Sequence, residues 1–302
     1  MSFSEDILPM LSGSLSAMTP LLFAALGGLF TELSGLLNIA LEGLISLGAF
    51  AAVLGAQAAS SAGAWSIAAG AGAGILASLL GSLLFGLSTI RLKANEFITG
   101  LATNLLAAGL GLVLSQRLFG TKGVVAFQFP KIPVPGAALA GLPVLGPLVF
   151  SQDILTLASW AAVLAAWILT RHSTFGMRLR AAGSTPAALE AIGLRPETYR
   201  LAAILVSGVS CGLAGAYLSL DLSAYVPNIS SGRGWIALVA IYLGSKKPAG
   251  ILLACLVFAT AESFSNYAQG FLSVPPDFIL AIPYLVTLAA LVAGALARMA
   301  RR

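Results

Sequence analysis

Long apolar segments alternate with short polar ones along almost the whole chain. Because a helix of about 20 residues crosses the hydrocarbon core of a bilayer, this pattern predicts an all-α, polytopic transmembrane helical bundle of about nine spans. The predicted spans are residues 8–30, 36–58, 65–90, 94–114, 153–170, 201–220, 232–244, 250–267 and 278–297. The seventh has only about 13 residues, roughly 20 Å of helix, which predicts a half-helix or a broken span.

The composition supports a membrane protein, since 58% of the 302 residues are hydrophobic and only 9% are charged. Soluble domains carry about 25% charged residues, so a soluble globular protein is excluded. The formal net charge of +5 is small, and the basic residues gather at the ends of the apolar segments. This distribution indicates membrane topology rather than a nucleic-acid partner.

The positions of lysine and arginine predict how the spans are oriented. Residues 1–90 contain neither, and Arg91 and Lys93 are the first. Because cytoplasmic loops are enriched in basic residues, the N-terminus is expected outside, and residues 171–200 and the C-terminus are expected in the cytoplasm. Residues 116–152 hold five prolines, a density that excludes a spanning helix and predicts an ordered external loop.

The basic segment 171–200 carries the signals of a short helix between two spans. Thr185 can cap this helix, Pro186 suits its first turn and Gly193 suits its end. We therefore predict a compact helical element on which a soluble partner docks. The alternative is a solvated connector between two transmembrane helices.

Four motifs resemble those of a known family. The segments that carry the resemblance are residues 175–183 (FGMRLRAAG), 186–193 (PAALEAIG), 32–43 (ELSGLLNIALEG) and 228–238 (NISSGRGWIAL). The first two resemble the cytoplasmic loop of ABC importer permeases, and the others resemble signatures of the group for nucleosides, simple sugars and branched-chain amino acids. Leu33 stands where that group often has a basic residue, which leaves open the charge partner of Glu32.

The resemblance implies one transmembrane permease domain over residues 1–302, with residues 171–200 as its cytoplasmic coupling loop. It implies three partners at the bacterial cytoplasmic membrane: a second permease subunit, a cytoplasmic ATPase and an external substrate-binding lipoprotein. Contacts to the ATPase are expected from Gly183, Ser184, Thr185, Pro186, Ala187, Ala188, Leu189 and Glu190. No GxxxxGK[ST] phosphate loop occurs in the chain, so ATP is expected on the ATPase and this chain is expected to hold no cofactor.

The substrate is less strongly indicated than the family. The short N-terminal form, without an extra leading span, resembles nucleoside permeases most; riboflavin and simple sugars are the alternatives. An ion-driven secondary transporter is the alternative of another class, since it too would use broken helices and buried carboxylates.

Catalytic residues are not expected, because no nucleophile, base and orienting group cluster in sequence. No metal motif occurs, and Cys211 and Cys255 lie in apolar runs typical of packing residues.

Polar residues within the predicted spans are candidates for the substrate pathway, because hydrocarbon tolerates them only when they are paired or face a cavity. Asn38 and Glu42 are four residues apart and are expected to share one helix face. Together with Asn104 and the half-helix, whose start carries Trp235, they are predicted to line the route. Glu42 has the alternative of locking two helices together, and Trp235 that of anchoring the membrane interface.

Small residues and a faint repeat indicate how the spans pack. GxxxG spacing, which allows close approach of helix backbones in lipid, occurs at Gly70, Gly74, Gly208 and Gly212. Residues 39–48 and 236–244 share an Ile-Ala-Leu start and a later Leu-Gly end. In the predicted topology the two copies run in opposite directions, which is typical of the inverted repeats of transporters.

Overall fold

The structure, a computed structural model, describes residues 7–136, 139, 141–142 and 144–269 and the isolated positions 285, 288, 289 and 292. The described chain is built almost entirely from α-helices. The helices are α1 (Leu8–Leu33), α2 (Leu41–Ala58), α3 (Trp65–Gly86), α4 (Glu96–Phe119), α5 (Ile154–Arg171), α6 (Thr174–Ser184), α7 (Pro186–Ala191), α8 (Pro196–Asp221), α9 (Arg233–Leu243) and α10 (Pro248–Ala268). Two short strands, β1 (Val125–Ala126) and β2 (Ala224–Tyr225), pair antiparallel.

Seven of the described helices are long and apolar enough to cross a membrane: α1 to α5, α8 and α10. The eleven-residue α9 is shorter, about 16 Å along its axis, and confirms the predicted half-helix. Eight of the nine predicted segments thus correspond to helices. The ninth, residues 278–297, lies outside the described residues apart from isolated positions, so the count of nine stays a prediction. The polytopic helical bundle is confirmed.

Helix α1 forms the centre of the bundle, where it packs against α5, α8, α9 and α10. Its side chains are buried continuously from Met18 to Thr31. A helix that is buried on all sides needs apolar or small residues on every face, and this stretch contains the small pair Gly27 and Gly28. In contrast, α4 and α5 are mostly exposed, as expected of helices whose outer faces meet lipid or another subunit.

The two ends of the bundle differ. Four residues separate the end of α7 from the start of α8, and two separate the end of α8 from β2, so α6 and α7 lie at one end and the two strands lie at the other. We call these the loop end and the sheet end. Among the described residues of 120–152, α- and π-helical structure is limited to Leu145 and the five-residue π-helix Gly146–Phe150, which confirms that this proline-rich segment is not a spanning helix. At the sheet end the ring of Phe50 contacts that of Tyr225, with centroids 4.8 Å apart.

Helices α2, α3 and α8 meet along a seam of glycines. A Cβ atom on Gly74 would lie 2.8 Å from the carbonyl oxygen of Gly48, and one on Gly212 would lie 2.6 Å from the Cα atom of Ile75. Real Cβ atoms do not approach backbone this closely, so each of these positions requires glycine. The predicted close approach through GxxxG spacing is therefore confirmed.

Replacing Gly74 with alanine should destabilise the bundle, while replacing Gly72 should not. Both glycines lie on α3, but a Cβ on Gly72 would meet nothing within 4 Å. The Gly74 methyl would press on backbone that no rotamer change can move, which typically costs about 1–3 kcal/mol. At Gly72, alanine should stabilise the helix by up to about 1 kcal/mol, because its helix propensity is higher than that of glycine. Thermal unfolding of the purified Gly74→Ala and Gly72→Ala variants measures both effects. Equal midpoints for the two variants would contradict tight backbone packing at Gly74.

Candidate functional site

The start of α2 differs from its prediction. Residues 36–40 are not helical and α2 begins at Leu41, so the expectation that Asn38 and Glu42 share a helix face is wrong. The amide oxygen of Asn38 accepts the backbone N–H of Ala40 at 3.0 Å, and its Nδ2 donates to the hydroxyl of Ser207 at 2.9 Å. An asparagine side chain that bonds nearby backbone competes with helix formation. Asn38 is only 1% exposed and holds this non-helical turn against α8.

Asn104 of α4 also bonds to the backbone around the break, the non-helical residues 36–40 that precede α2. Its Oδ1 accepts the N–H of Gly43 at 2.7 Å, and its Nδ2 donates to the carbonyl of Ile39 at 3.0 Å. One amide thus satisfies a backbone donor in the first turn of α2 and an acceptor that precedes the helix. Such groups have no partner within the helix itself, and in a membrane they must find one in protein or water.

Glu42, in the first turn of α2, is bonded to the start of α9. Its Oε1 accepts the Ser230 hydroxyl at 2.5 Å and the N–H of Gly232 at 2.8 Å, and its Oε2 accepts the N–H of Gly234 at 2.7 Å. A carboxylate at a helix N-terminus accepts hydrogen bonds from the unpaired amides and interacts favourably with the positive end of the helix dipole. In this structure Glu42 therefore links two helices, and its partner is a helix N-terminus rather than a cation.

The starts of α2 and α9 meet at this carboxylate, which we call the Glu42 joint. A Cβ on Gly234 would lie 2.6 Å from the Cα of Glu42, so the two backbones touch. Helix α2 runs from the joint to the sheet end, where Phe50 meets Tyr225. Helix α9 runs to the loop end, where the following Lys246 reaches α1. Two interrupted helices of opposite direction fit the inverted arrangement that the faint repeat predicts.

Trp235 follows Gly234 of the joint directly along α9 and is exposed. It is 41% exposed, and Tyr242 on the same face of α9 is 37% exposed. Seven residues make about two helical turns, so these aromatic rings form one exposed stripe. Of the predicted pathway residues, the structure brings Asn38, Glu42 and Asn104 together around the break, and places Trp235 on a separate surface.

The coupling loop folds as two short helices, α6 and α7. Pro186 occupies the first turn of α7 and Gly193 follows its end with a φ of +78°, as predicted. Thr185 stands at the N-cap position, but its side chain makes no capping hydrogen bond to α7, so that detail of the prediction is wrong. Leu189 is 3% exposed and fixes α7 to the protein. Its neighbours Ala187, Ala188, Glu190, Ala191 and Ile192 are exposed.

The coupling loop is fastened to the connection between α1 and α2. A Cβ on Gly183 would lie 2.8 Å from the backbone nitrogen of Gly35, so two glycines allow the chains to touch. Arg200 of α8 donates from Nη2 to the carbonyl of Ala182 at 3.1 Å and from Nε to that of Ser34 at 3.3 Å. Sequence reasoning missed Arg200, because its partners are backbone carbonyls that no side-chain pattern reveals.

Two ion pairs flank α9, one at each end. At the loop end Lys246 Nζ lies 2.7 Å from Glu32 Oε1, which supplies the charge partner of Glu32 that the sequence left open. At the other end Arg233 pairs with Glu262 of α10. Neither pair was predicted, since their members lie 214 and 29 residues apart in the chain. The isolated basic residues beside an apolar half-helix were the available signal.

Replacing Glu42 with glutamine should lower stability, although the shape of the side chain is kept. The carboxylate accepts three hydrogen bonds through two oxygens, whereas an amide turns one of these acceptors into a donor that faces an N–H. Leaving a buried donor unpaired costs about 1–3 kcal/mol. Thermal unfolding of purified protein tests this, with the exposed Glu197 changed to glutamine as control. Equal unfolding temperatures in the two variants would show that the Glu42 joint does not contribute to the stability of the protein.

Comparison with known proteins places this geometry in a family. The family model described as branched-chain amino acid transport system / permease component matches residues 10–291. The guanosine ABC transporter permease protein NupQ of Bacillus subtilis is 33% identical over 95% of this chain and 93% of its own length. The nucleoside ABC transporter permease protein NupC of Lactococcus lactis is 32% identical over 89% of this chain and 87% of its own.

A further relative is the putative glucose ABC transporter permease protein TsgC13 of Haloferax volcanii, 29% identical over 93% of this chain and 83% of its own. No solved structure matches the chain significantly. The family match covers α2 to α10, all but the first two residues of α1, and both halves of the Glu42 joint. This multi-pass membrane protein therefore belongs to the family of branched-chain amino acid transport system permease components.

Proposed function

We propose that this chain is the permease subunit of a bacterial ABC importer for a nucleoside-like solute and forms half of the translocation pathway. The observation that carries the proposal is the likeness, over nearly the full chain, to two permeases named for guanosine and nucleosides. A simple sugar is the second candidate, because a relative of similar coverage is named for glucose. Riboflavin stays a sequence-based expectation that no relative reported above supports.

The partners follow from this role. A cytoplasmic ATPase hydrolyses ATP, an external lipoprotein delivers the solute and a second permease subunit completes the pathway. The exposed α7 surface suits the ATPase, since Leu189 anchors the helix while its small neighbour Ala188 offers a flat contact. The largely exposed α4 leaves a face on which a second permease subunit or lipid packs.

The contacts form a continuous route from α7 to the joint. Helix α6 touches the α1–α2 connection at Gly35, and Arg200 holds the same two segments together. That connection leads directly into the start of α2, where Glu42 grips α9. A displacement of α7 by the ATPase would therefore reach both interrupted helices through packed backbone.

The solute route is proposed to follow the exposed stripe of α9. Trp235 and Tyr242 offer aromatic faces on which a heterocycle can stack, and Glu42, Asn38 and Asn104 fix the helices that border the route. Glu42, Asn38 and Asn104 are thus proposed to position the helices rather than to contact the solute. Asn38, for example, is almost fully buried. Uncharged solutes suit the route, since stacking and transient hydrogen bonds suffice to guide them.

The orientation follows from charge. The loop end carries most of the basic residues of the described chain, among them those of α6, so it faces the cytoplasm and the sheet end faces outward. The N-terminus is then outside, and the ninth span predicted from the sequence would bring the C-terminus inside. A cysteine at position 4 should react with an impermeant thiol reagent in spheroplasts and one at position 184 should not; the reverse pattern would overturn this orientation.

Reconstitution of the complex tests the function. The chain is co-expressed with its ATPase, its second permease subunit and its binding protein, and the complex is placed in liposomes. Guanosine, adenosine or uridine should accumulate when ATP is supplied and should stimulate ATP hydrolysis. Uptake driven by an ion gradient without ATP would instead indicate a secondary transporter, and uptake of glucose without any nucleoside would favour the second candidate.

In the same assay, replacing Ala188 with glutamate should abolish solute-stimulated ATP hydrolysis while the protein still inserts in the membrane. The exposed methyl of Ala188 lies on the proposed ATPase contact, where a longer charged side chain prevents close packing. Thr198→Glu is the matched control, since Thr198 is also exposed at the loop end but belongs to α8. Full stimulation in the Ala188 variant would favour a solvated connector.

A further inference from the structure

A polar cavity of about 570 Å³ lies at the sheet end, between α1, α8, α9 and α10. Its volume falls within the range of about 300–1,000 Å³ typical of small-molecule sites. It lies at the opposite end of the bundle from the coupling loop. With the orientation proposed above, it opens on the side from which solute arrives.

Two polar side chains of this cavity make no hydrogen bond to the described residues. The carboxylate of Asp221 ends α8, and the amide of Asn266 lies near the end of α10; both are exposed and both line the cavity. Asp153 repels the Asp221 carboxylate and Lys131 attracts it, both over a longer distance than a direct contact. A carboxylate and an amide in a membrane-spanning bundle are stable only when water, a ligand or another polar group meets them. The cavity therefore holds hydrogen-bonding capacity that the described protein does not use.

The third polar feature of the cavity is the Arg233–Glu262 ion pair. The side chains are 20% and 32% exposed, so the pair is half-buried between α9 and α10. The Nε–H of Arg233 is buried and has no hydrogen-bond partner in the described residues. A buried donor without a partner is costly. Arg233 is also the first residue of α9, directly beside the amides that Glu42 binds.

We propose that this cavity is an entry site that binds the vicinal diol of an uncharged solute, such as the ribose of a nucleoside. The inference rests on the proposed import function and adds a site to it. One carboxylate accepts hydrogen bonds at both oxygens, so Asp221 can accept one hydrogen bond from each hydroxyl of a diol. Asn266 both donates and accepts, which suits a heterocycle. Two carboxylates face one guanidinium, so the cavity repels phosphorylated solutes.

Protection of a cysteine from labelling tests the site directly. Leu222→Cys, at an exposed apolar residue that lines the cavity beside Asp221 and has no proposed contact with the solute, is made in the complete importer complex, held in nanodiscs so that both sides are accessible. The native cysteines are fully buried and give little background. The probe is guanosine, adenosine or uridine, whichever the complex imports, compared with its 2′,3′-dideoxy form and its 5′-monophosphate.

The nucleoside should slow labelling of Leu222→Cys by about tenfold at a concentration ten times its Kd, and neither analogue should slow it. Adding Asp221→Asn should remove this protection. Lys122→Cys, exposed at the sheet end outside the cavity, should be labelled at one rate throughout.

The outcomes separate this inference from the proposed function. If the complex imports a nucleoside that does not protect Leu222→Cys, the entry site is wrong while the function stands. Equal protection by the dideoxy form would overturn recognition of the diol. If no nucleoside is imported, the proposed function fails and the inference falls with it.

Discussion

Three hydrogen bonds into one carboxylate hold the two interrupted helices of this bundle together. Backbone amides at the start of a helix have no partner inside it, and hydrocarbon offers none. Glu42 supplies that partner for α9 through Gly232 and Gly234, and Asn104 does so for α2 through Gly43. Each helix can begin inside the bundle only because a side chain from elsewhere satisfies its first turn.

The joint also relates the two ends of the molecule. Toward the loop end, the chain from Glu42 leads through the α1–α2 connection to Gly183 and the coupling loop. Toward the sheet end, Arg233 follows the bound amides directly and borders the polar cavity. A change at either end thus acts on the same pair of helix starts. This arrangement gives the proposed coupling a physical path without any long-range charge effect.

Much of the fold was predictable because it depends on local pattern. Apolar length identified the seven long spans, and the short apolar run bounded by Gly232 and Lys246 identified the half-helix. Pro186 and Gly193 placed α7 because proline and glycine act on their own backbone. GxxxG spacing found part of the glycine seam, but Gly48 carries no such signal because Leu44 and Ala52, not glycines, lie four residues from it.

The interior of the site could not be predicted in the same way. Residues 36–40 are nearly all apolar and continue a helical run by composition; only the bonds from Asn38 and Asn104 show that α2 starts later. Glu42 bonds to residues 188 to 192 positions away, a pairing that no local periodicity encodes. The residue types were informative, since a carboxylate and two amides in apolar spans require partners. Which groups serve as their partners could be learned only from the tertiary structure.

The central claim is that the Glu42 carboxylate and the start of α9 act as one unit, and a double-mutant cycle tests it most directly. Glu42→Gln, Ser230→Ala and the combined variant are compared with the native protein by their free energies of unfolding in mixed micelles. If the joint exists, the two effects are non-additive, with a coupling energy of about 0.5–3 kcal/mol. Effects that add to within about 0.3 kcal/mol, as at distant sites, would contradict the account.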